Sequence, residues 1–134
     1  MLYFAYGSNL HHEQMKKRCS GCKYLKKYIL QDYRLTFRSE LCVADIEYKK
    51  GSSVQGALFE ITEKDELCLD KYEDFPILYK KYYFNYYNKR VMTYLMINKT
   101  PFRYPTVRYL NVIKCGYKDC KLDKKYLKKA LIEF

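Results

Sequence analysis

The first ten residues place the strongest constraint on the fold. Residues 2–6, Leu2-Tyr3-Phe4-Ala5-Tyr6, form an unbroken apolar and aromatic run that Gly7-Ser8-Asn9 stops at once. A run of this kind, closed by a glycine turn, reads as a buried strand leaving into a tight turn. A helix is expected next. Ser8 or Asn9 serves as its N-cap, Glu13 sits near the positive end of the helix dipole, and Lys16, Lys17 and Arg18 occupy the negative end.

The remaining pattern is short and mixed. Residues 24–37 are rich in aromatic, β-branched and leucine side chains and read as two strands, or as one strand bent near Gln31-Asp32. Residues 42–47 and 54–61 flank Lys49-Lys50-Gly51-Ser52, which predicts a hairpin reversal. Thr62 is an N-cap candidate, with Glu63 and Asp65 in the first turn of a short helix ending near Lys71. Residues 78–87 and 90–97 read as strands meeting at Asn88-Lys89, a two-residue connection that suits a hairpin. Pro105 is placed to open a helix that stops at Gly116, and Leu122, Tyr126, Ala130 and Leu131 recur at helical spacing beyond it. About six strands and four short helices result. Sequential hairpins favour an α+β fold with a small, mostly antiparallel mixed sheet or barrel and peripheral helices.

A chain of 134 residues without repeats or linkers is read as one domain, residues 1–134. With 49% hydrophobic and 31% charged residues it is too apolar for disorder and too charged for a membrane bundle. The N-terminus lacks the pattern of a signal peptide, so a cytoplasmic protein without a membrane partner is expected. In that reducing compartment the six cysteines are expected as free thiols. The net charge of +11 is spread over lysine pairs along the chain and reads as a generally basic surface.

Several chemistries find little support in the residue inventory. The two histidines, His11 and His12, are adjacent and point in different directions, which disfavours a histidine triad or metal site. Cys19 and Cys22 with Cys115 and Cys120 resemble a loose zinc set, but the second spacing lies at the edge of structural zinc sites, and no metal is expected. The basic C-terminal helix with its tyrosines has the letters of a phosphate-tracking surface, yet a solvated amphipathic helix explains them equally, and no nucleic-acid partner is expected.

Two segments say more. The Gly7-Ser8-Asn9 turn leaves convergent backbone N–H groups, which either cradle anionic oxygen or simply make a tight turn. In Leu69-Asp70-Lys71-Tyr72-Glu73-Asp74-Phe75-Pro76, carboxylates stand among leucine and aromatic residues; one held against those rings would have a raised pKa and suit acid–base work, whereas an ordinary arrangement faces them to water.

Six blocks occur in order: Tyr3-Phe4-Ala5-Tyr6-Gly7-Ser8-Asn9-Leu10; Met15 with Arg18-Cys19; Tyr33-Arg34-Leu35-Thr36-Phe37; Gly51-Ser52-Ser53-Val54-Gln55-Gly56; Leu69-Asp70-Lys71-Tyr72-Glu73 with Pro76 and Tyr79; and Pro105-Thr106-Val107-Arg108-Tyr109-Leu110 before Gly116. Together they resemble the γ-glutamylcyclotransferase family, in its small bacterial AIG2-like branch, over nearly the whole chain. The resemblance implies a mixed β-barrel with peripheral helices, no metal and no cofactor. It implies Glu73 as the catalytic carboxylate and Tyr3, Phe4, Ala5, Tyr6, Gly7, Ser8 and Asn9 as the substrate pocket, with Tyr79 beside Glu73 and Tyr109 as a further pocket residue. Three positions depart from the family pattern: Asp74 where glycine commonly follows the glutamate, Thr106 where serine is usual, and Asp45 where many bacterial members carry asparagine.

The implied activity is release of 5-oxoproline from a small γ-glutamyl substrate by a monomer or homodimer. Two rivals are a non-catalytic binding module of the same fold and a nucleic-acid or acidic-protein binder acting through the lysine-rich surface.

Overall fold

The computed structural model describes residues 1–132. The N-terminal strand β1 (Leu2–Ala5) is buried at every position and sits in the middle of a five-stranded sheet of order β2-β3-β1-β5-β4. It pairs antiparallel with β3 (Val43–Glu60) and parallel with β5 (Lys89–Met96), the sheet's one parallel pairing. Neighbours on both sides explain why the run carries no polar alternation.

The long strand β2 (Lys23–Arg38) pairs antiparallel with β3 along most of its length and carries the expected bend, a register shift between Gln31 and Tyr33 with Asp32 at φ 64. The hairpin expected at residues 49–52 is absent. Both flanks of that segment find partners on β2, Tyr48 opposite Tyr33 and Ser53 opposite Gln31, so the chain bulges instead of turning back. Gly51, at φ +87, completes the bulge by donating its N–H to Asp32 Oδ1 at 3.0 Å. The reversal falls at residues 39–42, where Ser39 and Cys42 take left-handed φ of 71 and 56. These mergers leave five strands instead of about six.

Strand β4 (Tyr79–Tyr86) joins β5 through Tyr87-Asn88, one residue earlier than expected. The edges of the sheet, β2 and β4, do not pair through their backbones, so the expected barrel is open. Aromatic side chains bridge the gap: Tyr28 stacks on Phe84 with centroids 5.8 Å apart, and Tyr33 meets Tyr82 at 5.6 Å.

Among the described residues four α-helices accompany this sheet. Ser8–Leu10 forms a 3₁₀ turn, so Ser8 and Asn9 do not cap α1 (His12–Arg18); His11 does, accepting from the Gln14 N–H through Nδ1. Helix α2 (Glu63–Tyr72) opens on the expected Thr62 cap, reinforced by a reciprocal Asp65 bond. Helix α3 (Val107–Asp119) is capped by Thr106, so Pro105 lies before the cap, and the helix runs through Gly116 without stopping. Gly116 is there for contact, since a Cβ would lie 2.5 Å from Leu10 Cβ and 2.8 Å from the His11 nitrogen. Helix α4 (Lys124–Ile132) closes the described chain, in which no helix is long and apolar enough to cross a membrane.

Alanine in place of a mid-helix glycine ordinarily stabilises by about 1 kcal/mol. Gly116→Ala is expected to reverse that sign and destabilise by about 1–3 kcal/mol, read as a lower midpoint in urea unfolding.

Candidate active site

A cavity of about 190 Å³ lies where the 3₁₀ turn, the end of α2 and the β2–β3 turn converge. Tyr3 enters it from β1, Tyr79 and Tyr94 from β4 and β5, Tyr109 from α3, and Glu73 from the residue that closes α2. The turn at Gly7 approaches closely: a Cβ there would stand 3.1 Å from Ala44 Cβ and 3.2 Å from the Tyr109 hydroxyl. The N–H groups that open this turn have no partner within it, and Gly7, Ser8 and Asn9 all line the cavity.

Local geometry accounts for the position of Glu73. Its N–H donates to Leu69 O at 2.8 Å as the last helical bond. The Asp74 N–H then reaches back to Lys71 O at 3.3 Å and the Phe75 N–H to Asp70 O at 2.9 Å, the paired bonds of a Schellman termination. This ending needs a left-handed residue at position 74, and Asp74 has φ 53. Glycine takes that conformation without strain and aspartate tolerates it, which is the physical reason that both residues fit after the glutamate.

A polar chain holds the carboxyl. Asn9 Nδ2 donates to Glu73 Oε1 at 3.3 Å and to the Tyr3 hydroxyl at 2.9 Å. Arg18 fixes which way that amide points, because an Nη1 proton is donated to Asn9 Oδ1 and leaves only the NH₂ side to face Glu73. The same nitrogen reaches Ser8 Oγ at 3.3 Å, Nη2 donates to Gln14 Oε1 at 2.7 Å, and the guanidinium lies 3.4 Å from the Tyr72 ring centroid. Ala44 organises the far wall: its N–H donates to the Tyr109 hydroxyl at 3.0 Å and its carbonyl accepts from the Tyr79 hydroxyl at 2.6 Å.

Burial pushes the Glu73 carboxyl up from 4.5 to about 7, with the Arg18 charge and the Asn9 hydrogen bond pulling in the opposite direction. Burial, with the nearby Glu73 charge as a smaller cause, also raises Tyr3 and Tyr79 well above the usual phenol range. The cavity thus holds one carboxyl that titrates near neutrality among phenols that stay protonated.

The sequence model of the family described as "Gamma-glutamyl cyclotransferase, AIG2-like" matches residues 3–114. The chain belongs to this family. Among solved structures, one titled "Gamma-glutamyl cyclotransferase" is 25% identical with a TM-score of 0.79, covering 97% of this chain and 85% of that one. The uncharacterized human protein loc79017 is also 25% identical, with a TM-score of 0.77 over 96% of this chain and 85% of that one. YkqA of Bacillus subtilis shares the fold at 21% identity and a TM-score of 0.77, with 96% of this chain matching 52% of that one. No curated protein matches the sequence.

The AIG2-like fold brings Glu73 together with Tyr3, Tyr6, Gly7, Ser8, Asn9, Tyr79 and Tyr109 around the cavity. Phe4 and Ala5 are not brought to it: both are fully buried, and Phe4 packs edge-on against Tyr28 and Phe84 in the core. Tyr79 shares the cavity with Glu73 but donates to Ala44, and the hydrogen bond to Glu73 comes from Asn9. Asp45, fully buried beside Ala44, is met by Arg38 at 3.2 Å, Lys99 at 2.8 Å and the Met96 N–H at 2.9 Å, a setting that matches its charge. Arg18, Tyr72 and Tyr94 were not among the expected site residues. Arg18 had only the appearance of a helix-end cation, although it stands in a family block.

Arg18→Met is expected to move the Glu73 titration above 7, read by carbon NMR of the carboxyl. Asp74→Gly is expected to stabilise the protein by about 0.5–1 kcal/mol by relieving the left-handed aspartate, read as a higher unfolding midpoint.

Proposed function

We propose that this chain releases 5-oxoproline from γ-glutamyl amino acids or γ-glutamylamines, with Glu73 as general base and then general acid. The observation that carries the reading is one carboxyl, raised to about 7 and hydrogen-bonded by Asn9, in a cavity lined by the tight turn of Gly7, Ser8 and Asn9. The family membership supports it.

The substrate brings its own nucleophile, the α-amine. Glu73 as carboxylate takes a proton from the α-ammonium, and the freed nitrogen attacks the γ-carbonyl carbon to close a five-membered ring. Negative charge gathers on the carbonyl oxygen. The bond to the departing nitrogen then breaks as Glu73 returns the proton to it, and the ring nitrogen, which keeps one hydrogen in the lactam, gives up its second proton to the released amine, which leaves as an ammonium; no water is consumed and no enzyme nucleophile is needed. The turn at Gly7, Ser8 and Asn9 holds either the substrate carboxylate or the developing oxyanion. Holding the chain folded supplies much of the acceleration, because well-oriented intramolecular attack reaches effective molarities of about 10⁵–10⁸ M.

A carboxyl near neutrality is suited to both transfers. The reaction starts from its ionised form, so kcat/KM is expected to rise with pH through about 7. Stability runs the other way. Because the folded value lies above the ordinary 4.5, the native state binds more protons than the unfolded chain between pH 4.5 and about 7, and stability falls as pH rises through that window.

The test is incubation with a panel of γ-glutamyl amino acids, γ-glutamylamines and glutathione, scoring 5-oxoproline by mass spectrometry. Glu73→Gln is expected to lower kcat by about 10²–10⁴-fold while being more stable than the native protein at pH 8 by ~1–3 kcal/mol. Full turnover in that variant removes Glu73 from the mechanism. Ligand-induced stabilisation of the native protein without product favours a non-catalytic binding module.

A further inference from the structure

Glu73, Asn9 and the turn at Gly7 and Ser8 are gathered together. A γ-glutamyl group carries its ammonium, carboxylate and reacting carbonyl within a few bonds, so these residues take up the polar end of the substrate. The aliphatic part of the cavity lining is Leu41, Val43 and Leu78. Leu41 is 63% exposed while still lining the cavity, which places it at the mouth.

Leu41 is held there by its turn. Ser39 and Cys42 flank it with φ of 71 and 56, the Cys42 N–H donates to Ser39 O at 3.0 Å, and the Leu41 N–H donates to Ser39 Oγ at 3.1 Å. The turn is anchored in its turn by the Ser39 N–H, which donates to Thr100 Oγ1 at 3.0 Å. A turn held in this way keeps an aliphatic residue at the mouth of the cavity, within reach of an apolar departing group. Charge points the same way: the chain has 26 lysine and arginine residues, and among the described residues none lines this cavity. A departing group that ends in a carboxylate meets no cation in the wall.

Resting on the reaction proposed above, we infer that Leu41, Val43 and Leu78 form a leaving-group subsite that selects γ-glutamyl amides of apolar, uncharged amines. The glutamyl end is recognised by polar groups common to every substrate, and discrimination falls to the aliphatic wall.

The test compares γ-glutamyl methylamide, propylamide and pentylamide with γ-glutamylglycine, whose leaving group carries a carboxylate. For the native protein, kcat/KM is expected to rise roughly two- to fourfold per added methylene, with γ-glutamylglycine below the propylamide. Leu41→Ser is expected to cut the pentylamide-to-methylamide ratio by roughly threefold or more. An alkyl series without a slope, or a preference for the carboxylate, overturns the subsite. Calorimetry of the same amides with Glu73→Gln separates this inference from the reaction on which it rests. Affinity that rises with chain length while the native protein makes no product keeps the subsite and removes cyclisation. Turnover without chain-length dependence does the reverse, and absence of both binding and turnover overturns both.

Discussion

The contact between Leu10 and Gly116 underlies the site. Leu10 is fully buried, and α3 comes so close to it that only a hydrogen fits at Gly116. That closeness presses the 3₁₀ turn between α3 and the central strand, so Ser8 and Asn9 are pinned although neither lies in a long element. A second close approach, Gly7 against Ala44 and Tyr109, fixes the other end of the turn. Two glycines thus supply proximity, and the turn they pin brings Ser8 and the Asn9 amide to the cavity.

Electrostatics then depend on what Arg18 does not do. Its Nη groups are engaged by Asn9, Ser8 and Gln14, and its flat face lies on Tyr72. It therefore acts on Glu73 as a nearby charge and through an intervening amide. A direct, bidentate ion pair would hold the carboxyl far below neutrality and leave it a poor base. Burial without such a partner keeps it near 7. The protein accepts a less stable native state above that pH in exchange for a group that can both take and give a proton.

Much of this was legible in the sequence, and the exceptions have definite causes. The apolar run of residues 2–6 identified β1, and the Thr62 cap and the bend at Asp32 followed from local chemistry. The hairpin at residues 49–52 was misread because a glycine with left-handed φ serves a bulge as well as a turn, and only the register against β2 separates the two. Gly116 was misread as a helix stop because its role is a contact with a residue more than a hundred positions away. In the site, Glu73, Tyr79, Tyr109 and the turn were marked by family blocks. Phe4 was marked along with them, but its ring faces the core, not the cavity. Arg18 was hidden because a helix-end cation and an arginine bound to a buried amide look alike until the fold brings α1 to the cavity.

The gap between β2 and β4 has a consequence for behaviour in solution. A sheet bridged at its ends by aromatic rings leaves two strands with unpaired backbone, each a template onto which a strand from another molecule can add. Lysines stand along both: Lys23, Lys26 and Lys27 on β2 and Lys80 on β4. A foreign strand docking there would have to strip water from these ammonium groups or bring carboxylates to meet them. Positive charge placed on the open edges works against the addition of a further strand there.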